Sequence, residues 1–260
     1  MQSFCGELWS RPKNWFSENG MTAILTGCLR EAVFIGADSR KWDSLMHAPL
    51  SDEVQKVFEI RDKSRKLAYA LTGSVASANG VFDLVQECRR ESVRLASRNF
   101  ESLRTYVEPF IHVIRNSLTK GKAAGELFPP DEVIVRMFVV GFIKKRGACQ
   151  ALLTFTHDKQ VLQEAQVACG PVSPGWMSGS GCEVAKQMVL GDSTTLPIDT
   201  TLSDAAELTK RLIEAHKEHL QTTGHEFCNL VGGPPQFAMV TFANGFEWLP
   251  GYEPACVLQG

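Results

Sequence analysis

The segment from Thr22 to Ile60 constrains this chain more than any other. Thr22-Ala-Ile-Leu-Thr-Gly-Cys reads as a short apolar strand. A turn at Arg30-Glu31 leads into a second, Ala32-Val-Phe-Ile-Gly-Ala, which ends in Asp38-Ser39-Arg40. A third strand-like run, Val54-Gln-Lys-Val-Phe-Glu-Ile60, carries Lys56 among apolar neighbours. A buried ammonium is costly unless it is paired, so Lys56 is the most informative residue of the three runs. A threonine that stands first in a mature chain holds a hydroxyl and a free amine on one carbon skeleton, a nucleophile with its own base. Thr22, Asp38 and Lys56 on adjacent strands point to a self-contained acyl-transfer site.

The rest of the composition narrows the alternatives. At 260 residues, 44% hydrophobic and 22% charged, the chain has ordinary globular proportions and enough apolar material for a real core. A net charge of −2 gives no broad basic footprint for nucleic acid and none for an anionic membrane. The longest apolar run, Val133 to Ile143, is interrupted by Arg136 and is too short to span a bilayer. The first twenty residues mix Trp9, Trp15 and Phe16 with Arg11, Lys13 and Asn14 and contain no apolar h-region, so no secretory signal is read there. The eight cysteines are scattered without a C-x-x-C pair, the pattern of reduced, mostly buried thiols in a cytoplasmic protein rather than of a metal site. No metal and no cofactor is expected.

Further along, Lys66 to Thr72 reads as another strand stopped by Gly73-Ser74. Val81, Leu84, Val85, Cys88 and Leu95 recur at helical spacing, followed by a second helical stripe of Leu103, Tyr106, Val107, Phe110, Ile111, Ile114 and Leu118. Pro109 inside it predicts a kink or a broken start. Lys120 to Pro130 is a loop by composition. Val133 to Ile143 and Ala148 to Thr156 form a predicted hairpin, and Val161 to Ala168 a further strand. A Gly/Pro/Ser-rich stretch, Gly170 to Gly181, precedes a helical Glu183 to Leu190. Ser203-Asp204 can cap another helix. The chain closes with a hairpin turning at Asn244-Gly245. Strands, helices, strands, helices, strands in segregated runs argue for an α+β protein rather than alternating βαβ units. There is no internal repeat, and no linker divides the chain.

Taken in order, Thr22-Ala-Ile-Leu, Gly36-Ala-Asp38-Ser-Arg40, Gln55-Lys56-Val57, Leu71-Thr72-Gly73-Ser74 and Gly179-Ser180-Gly181 resemble the proteasome β-type subunits, including their bacterial relatives, among the N-terminal-nucleophile hydrolases. The resemblance covers roughly residues 22 to 243. It implies a four-layer αββα sandwich, two antiparallel sheets packed face to face with helix pairs outside. It further implies that Thr22 is the nucleophile, Lys56 the lysine facing it and Asp38 the aspartate that ends the second strand. Gly73 would supply an oxyanion-hole N–H and Ser180 would stand near the amine. The region of Leu71 and Val75 is expected to shape the substrate site.

The function this implies is a threonine-type hydrolase of peptide bonds, acting on peptide or unfolded protein as a homo-oligomer. An ATP-dependent unfoldase partner is neither required nor excluded by the sequence. A silent scaffold subunit, or an amidase acting on a small molecule, are the other readings. Residues 1–21 read as a leader or as an extension upstream of a true start at Met21, and residues 22–260 as a single β-type domain. The sequence departs from the family twice. Met21, rather than Gly, precedes the threonine. Where many members carry Asp-x-x-Ser-Gly before the last strands, this chain has Gln221-Thr-Thr-Gly-His225.

Residues outside that pattern have blander readings. Asp38 alone would equally cap a turn with Ser39 and Arg40. His216, Glu218 and His219 lack the four-residue histidine spacing of zinc proteases and read as a solvated helical face.

Overall fold

The computed structural model describes residues 22–30, 32–43, 48–60, 66–77, 80–98, 102–126, 128, 132–143, 147–156, 158–166, 176–178, 187–190, 200–222 and 231–255. The expected leader, Ser180 and most of the Gly/Pro/Ser-rich stretch lie outside them. Two five-stranded antiparallel sheets dominate. Sheet I is built from β1 (Ile24–Cys28), β2 (Ala32–Ala37), β10 (Trp176–Ser178), β11 (Gln236–Thr241) and β12 (Gly245–Trp248), in the order β10-β1-β2-β11-β12. Sheet II runs β5-β6-β7-β8-β9, from β5 (Val57–Ile60), β6 (Leu67–Gly73), β7 (Val133–Ile143), β8 (Gly147–Thr156) and β9 (Gln160–Gln166). A small hairpin of β3 (Lys41–Asp43) and β4 (Ala48–Ser51) lies between β2 and β5 in the chain.

The alternation of side chains explains how these sheets are covered. Val33, Ile35 and Ala37 of β2 and Ala238 and Val240 of β11 share one core with Ala68, Ala70, Phe138 and Val140 of sheet II. Their neighbours on the opposite face of sheet I, Leu25, Phe34 and Phe237, pack against Ala205, Ala206, Leu208, Leu212 and Ala215 of helix α3 (Leu202–Thr222). On sheet II the alternate residues Leu67, Tyr69, Leu71, Met137 and Val139 pack with Leu84, Cys88 and Leu95 of α1 (Leu84–Leu95) and Tyr106, Val107, Phe110 and Ile114 of α2 (Leu103–Ala123). Stacked rings mark both outer faces: Phe34 on Phe237 at 5.2 Å and Phe58 on Tyr69 at 5.1 Å between centroids. Each fully buried Val, Ile or Phe contributes about 1.5–3 kcal/mol. Because β1 and β2 are covered on both faces, they read as unbroken apolar runs instead of alternating ones.

Several boundaries differ from the sequence reading. The β3–β4 hairpin is not anticipated, because Lys-Trp-Asp and a proline-bearing Ala-Pro-Leu-Ser carry no strand signature. Helix α2 runs unbroken through Pro109 and on to Ala123, absorbing the first residues of the expected loop. Its apolar stripe, anchored on sheet II, outweighs one missing N–H. Val81 precedes α1, which Asp83 caps by accepting from the Gln86 N–H at 3.0 Å. The cap of α3 is Thr201 rather than Ser203. Thr201 Oγ1 accepts from the Asp204 N–H at 3.1 Å while the Asp204 carboxylate accepts from the Thr201 N–H at 2.8 Å, a reciprocal box. In the final hairpin Thr241 pairs with Gly245, so the loop is residues 242–244.

Candidate active site

The site forms where the two sheets meet at the start of β1, the end of β2 and the approach to β5. Thr22 stands just before β1, Asp38 just after β2, and Lys56 just before β5 rather than inside it. Pairing of Ile24 with Ala37 in the β1–β2 hairpin brings Thr22 and Asp38 to the same end of sheet I. The chain then crosses to sheet II through β3 and β4 and delivers Lys56 from the other side. Lys56 Nζ donates to Thr22 Oγ1 at 3.0 Å and to Asp38 Oδ1 at 2.9 Å. All three residues are buried, with Asp38 fully so. The structure thus places these three side chains within hydrogen-bond reach of one another.

The carboxylate of Asp38 is saturated. Oδ1 also accepts from the Ala23 N–H at 3.0 Å, and Oδ2 accepts from the N–H groups of Arg40 and Gly232, each at 3.2 Å. Burial pushes the Asp38 carboxyl up and the Lys56 ammonium down, while their mutual attraction and hydrogen bond pull back against both shifts. Four donors converging on one carboxylate favour its charged form and oppose the effect of burial. An ammonium so placed faces the threonine oxygen and is positioned to stabilise negative charge there.

Around this centre lie residues the sequence reading does not single out. The Arg40 guanidinium grips Asp52 through Nε and Nη2, both at 2.6 Å. Ser39 Oγ donates to the Asp52 carbonyl, and the Val54 N–H donates to the Ser39 carbonyl at 3.0 Å. Gly232 lies flat against Arg40, where a Cβ would come within 2.6 Å of the guanidinium carbon. Gln236, 2% exposed, reaches from β11 to the backbone at Lys56. Arg40 is quoted in the motif but given no role there. Gly232 and Gln236 flank a Gly-Pro-Pro stretch that looks like an ordinary turn, and only their burial reveals them.

The remaining expected residues are more distant in kind. Gly73 ends β6 at φ +100, pressed so close to β7 that a Cβ would lie 2.1 Å from the Ile134 carbonyl oxygen. Only glycine fits there. Leu71, expected to shape the substrate site, is 3% exposed and belongs to the core beneath α1 and α2, because the strand alternation turns it to the helix side. Val75 is half-buried against that same core. Ser180 lies outside the described residues, as do residues 223–225 of the departing segment. His216 departs from the solvated face expected for it. It is 2% exposed, and its Nδ1 donates to the Leu212 carbonyl at 2.7 Å, while Glu218 is exposed. Among the described residues no cluster of three or more His, Cys, Asp or Glu could hold a metal ion, and no helix is long and apolar enough to cross a membrane. Cys28, Cys88 and Cys149 are buried thiols.

No protein-family model matches the sequence, and no curated protein matches it. Among solved structures the chain is similar to Anbu (ancestral beta-subunit) from Yersinia bercovieri. The TM-score is 0.56 at 13% identity, over 91% of this chain and 90% of that one. A likeness of that extent at that identity shows the fold alone: two antiparallel sheets with helices, shared with that ancestral beta-subunit.

Proposed function

We propose that this chain is a threonine-type hydrolase of amide bonds, with Thr22 as nucleophile, on the four-layer αββα architecture of the N-terminal-nucleophile hydrolases. The observation that carries this reading is the single ammonium of Lys56 held between Thr22 Oγ1 and Asp38 Oδ1 at 3.0 and 2.9 Å. A buried lysine on a buried threonine has no structural necessity. Replacing a buried ion pair such as Lys56–Asp38 by apolar residues is often neutral or stabilising, so stability alone does not call for it and a chemical role does.

In this mechanism the Thr22 α-amine is first freed, by hydrolysis of the Met21–Thr22 bond or by a start at Met21 with loss of the methionine. The Thr22 oxygen then attacks the carbonyl carbon, and its proton passes to the α-amine. Lys56 remains charged beside the developing alkoxide, and Asp38 keeps it there. The oxyanion is stabilised by the Gly73 N–H, a donor whose loss typically costs about 2.7–4 kcal/mol. The carbon–nitrogen bond breaks as the proton moves from the α-amine to the leaving nitrogen. Water then hydrolyses the acyl ester by the same route. Ser180 would assist at the amine, and Val75, half-buried, is the remaining candidate for substrate contact. No cofactor takes part. Peptide or unfolded protein is the substrate class, in a homo-oligomeric proteasome-like assembly in the cytoplasm.

The test is N-terminal sequencing of the active species together with two variants. Active protein begins at Thr22. Thr22→Ser keeps measurable turnover, and Thr22→Ala has none while the oligomer size is unchanged. Active protein that still carries residues 1–21 would overturn the mechanism, because an amine in a peptide bond is no base. A protein that retains them and is inactive would be a silent scaffold subunit.

A further inference from the structure

Gln236 occupies a place that neither packing nor turn chemistry explains. It opens β11 directly opposite Ala37, next to Asp38, and shares a face with Ala238 and Val240, which point into the gap between the sheets. Its side chain crosses that gap. Oε1 accepts from the Lys56 N–H at 2.9 Å and, more weakly, from the Val57 N–H at 3.5 Å. Nε2 donates to the Val54 carbonyl at 2.7 Å. Residues 54–56 precede β5 and lie outside its strand ladder, so the carboxamide supplies hydrogen bonds that a neighbouring strand would otherwise give.

Resting on the hydrolase reading above, we propose that Gln236 is the positioning residue for Lys56. Thr22 and Asp38 are carried by sheet I, whereas Lys56 is carried by the segment that enters sheet II. The distance from Lys56 Nζ to its two partners therefore depends on the separation of the sheets, and Gln236 fixes that separation at Lys56 itself. Gly232, four residues earlier on the same segment, donates its N–H to Asp38 Oδ2 at 3.2 Å, so one stretch of chain holds both members of the pair. The side-chain requirement is strict. Donor and acceptor must lie on one terminus at this reach. Glutamate at neutral pH would turn an acceptor toward the Val54 carbonyl, asparagine is one methylene short, and methionine fills the volume without either bond.

The experiment compares full-length, matured wild type with Gln236→Met and Gln236→Glu. It reads hydrogen exchange of the peptide covering residues 54–57 and steady-state hydrolysis of a fluorogenic amide substrate. The proposal expects exchange at Lys56 and Val57 to accelerate about tenfold or more in Gln236→Met. It expects kcat to fall by about ten- to a hundredfold with KM within about twofold, the signature of a misplaced catalytic group rather than of lost substrate contact. Unchanged exchange in both variants overturns the clamp. Faster exchange with unchanged kcat overturns the positioning role while leaving the hydrolase reading intact. Wild type that neither hydrolyses amides nor reacts at Thr22, yet shows Gln236-dependent protection, overturns the hydrolase reading and leaves the clamp. Should Gln236→Met fail to fold, Gln236→Glu, which keeps the acceptor and the volume, provides the same two readouts.

Discussion

Two ion pairs stand side by side in this molecule and differ in nearly every respect. Arg40–Asp52 sits at the rim, with its side chains 12% and 42% exposed, and is bidentate. Lys56–Asp38 is at 9% and 0%, single-pronged, and shared with a hydroxyl. The guanidinium holds the Asp52 carboxyl below its usual range, and Asp52 in turn raises Arg40. Both members of the buried pair are pushed the other way by desolvation, toward their neutral forms. The rim pair has the geometry that stabilises a loop. A buried pair is weak evidence for stability, and this one has the placement the proposed chemistry at the Thr22 oxygen requires.

The sharpest way to break the contrast is to remove one buried partner. Lys56→Ala leaves Asp38 as an uncompensated charge under three backbone N–H groups, and is expected to abolish hydrolysis and cost about 3–5 kcal/mol of stability. Chemical denaturation checks this. Adding Asp38→Asn should recover part of that loss, since no buried charge remains. Equal stability of Lys56→Ala and wild type would mean the pair is not buried and charged.

Next in size is the pH dependence. Because the Asp38 carboxyl is raised, the acid limb of kcat should lie above the ordinary carboxylate value of about 3.9. Because the Lys56 ammonium is lowered, the alkaline limb should fall below the usual lysine value of about 10.4. The working window narrows from both sides. For stability the signs also differ between the pairs. A raised Asp38 contributes stability below its unfolded pKa that is lost as pH rises through the folded one. A lowered Asp52 contributes stability above its unfolded pKa that is lost as pH falls through the folded one. Activity limbs at the unperturbed values would contradict the burial argument.

The smallest effect belongs to the rim. Asp52→Asn is expected to cost about 0.2–1 kcal/mol, less at high salt, because one partner is open to solvent. It should also remove the acid-dependent part of stability that Asp52 supplies. Thermal denaturation at two pH values and two ionic strengths measures both. A loss as large as that of Lys56→Ala would erase the distinction between the pairs.

What the sequence reveals follows the same division. Thr22, Asp38 and Lys56 are legible because polar groups at the ends of apolar strands stand out, and because the β1–β2 hairpin puts Thr22 and Asp38 at one end of a sheet. The segregated strands and helices make the two sheets legible as well. Gln236 and Gly232 are not, since their role comes from a crossing between sheets that no local pattern encodes. Leu71 is misread because a substrate-facing and a helix-facing position look alike in a strand covered on both faces. His216 is misread because burial by α3 packing, rather than helix composition, decides its surroundings.

In the proposed chemistry Thr22 becomes a nucleophile with its own amine, poised by Lys56. The most direct test is intact-mass analysis after exposure to an electrophile, such as an epoxyketone, that bonds jointly to a hydroxyl and an adjacent amine. Wild type beginning at Thr22 should gain one adduct per subunit, mapped to Thr22, while Thr22→Ala and any form retaining Met21 should gain none. Protein that begins at Thr22, is folded, and takes no adduct would contradict the account.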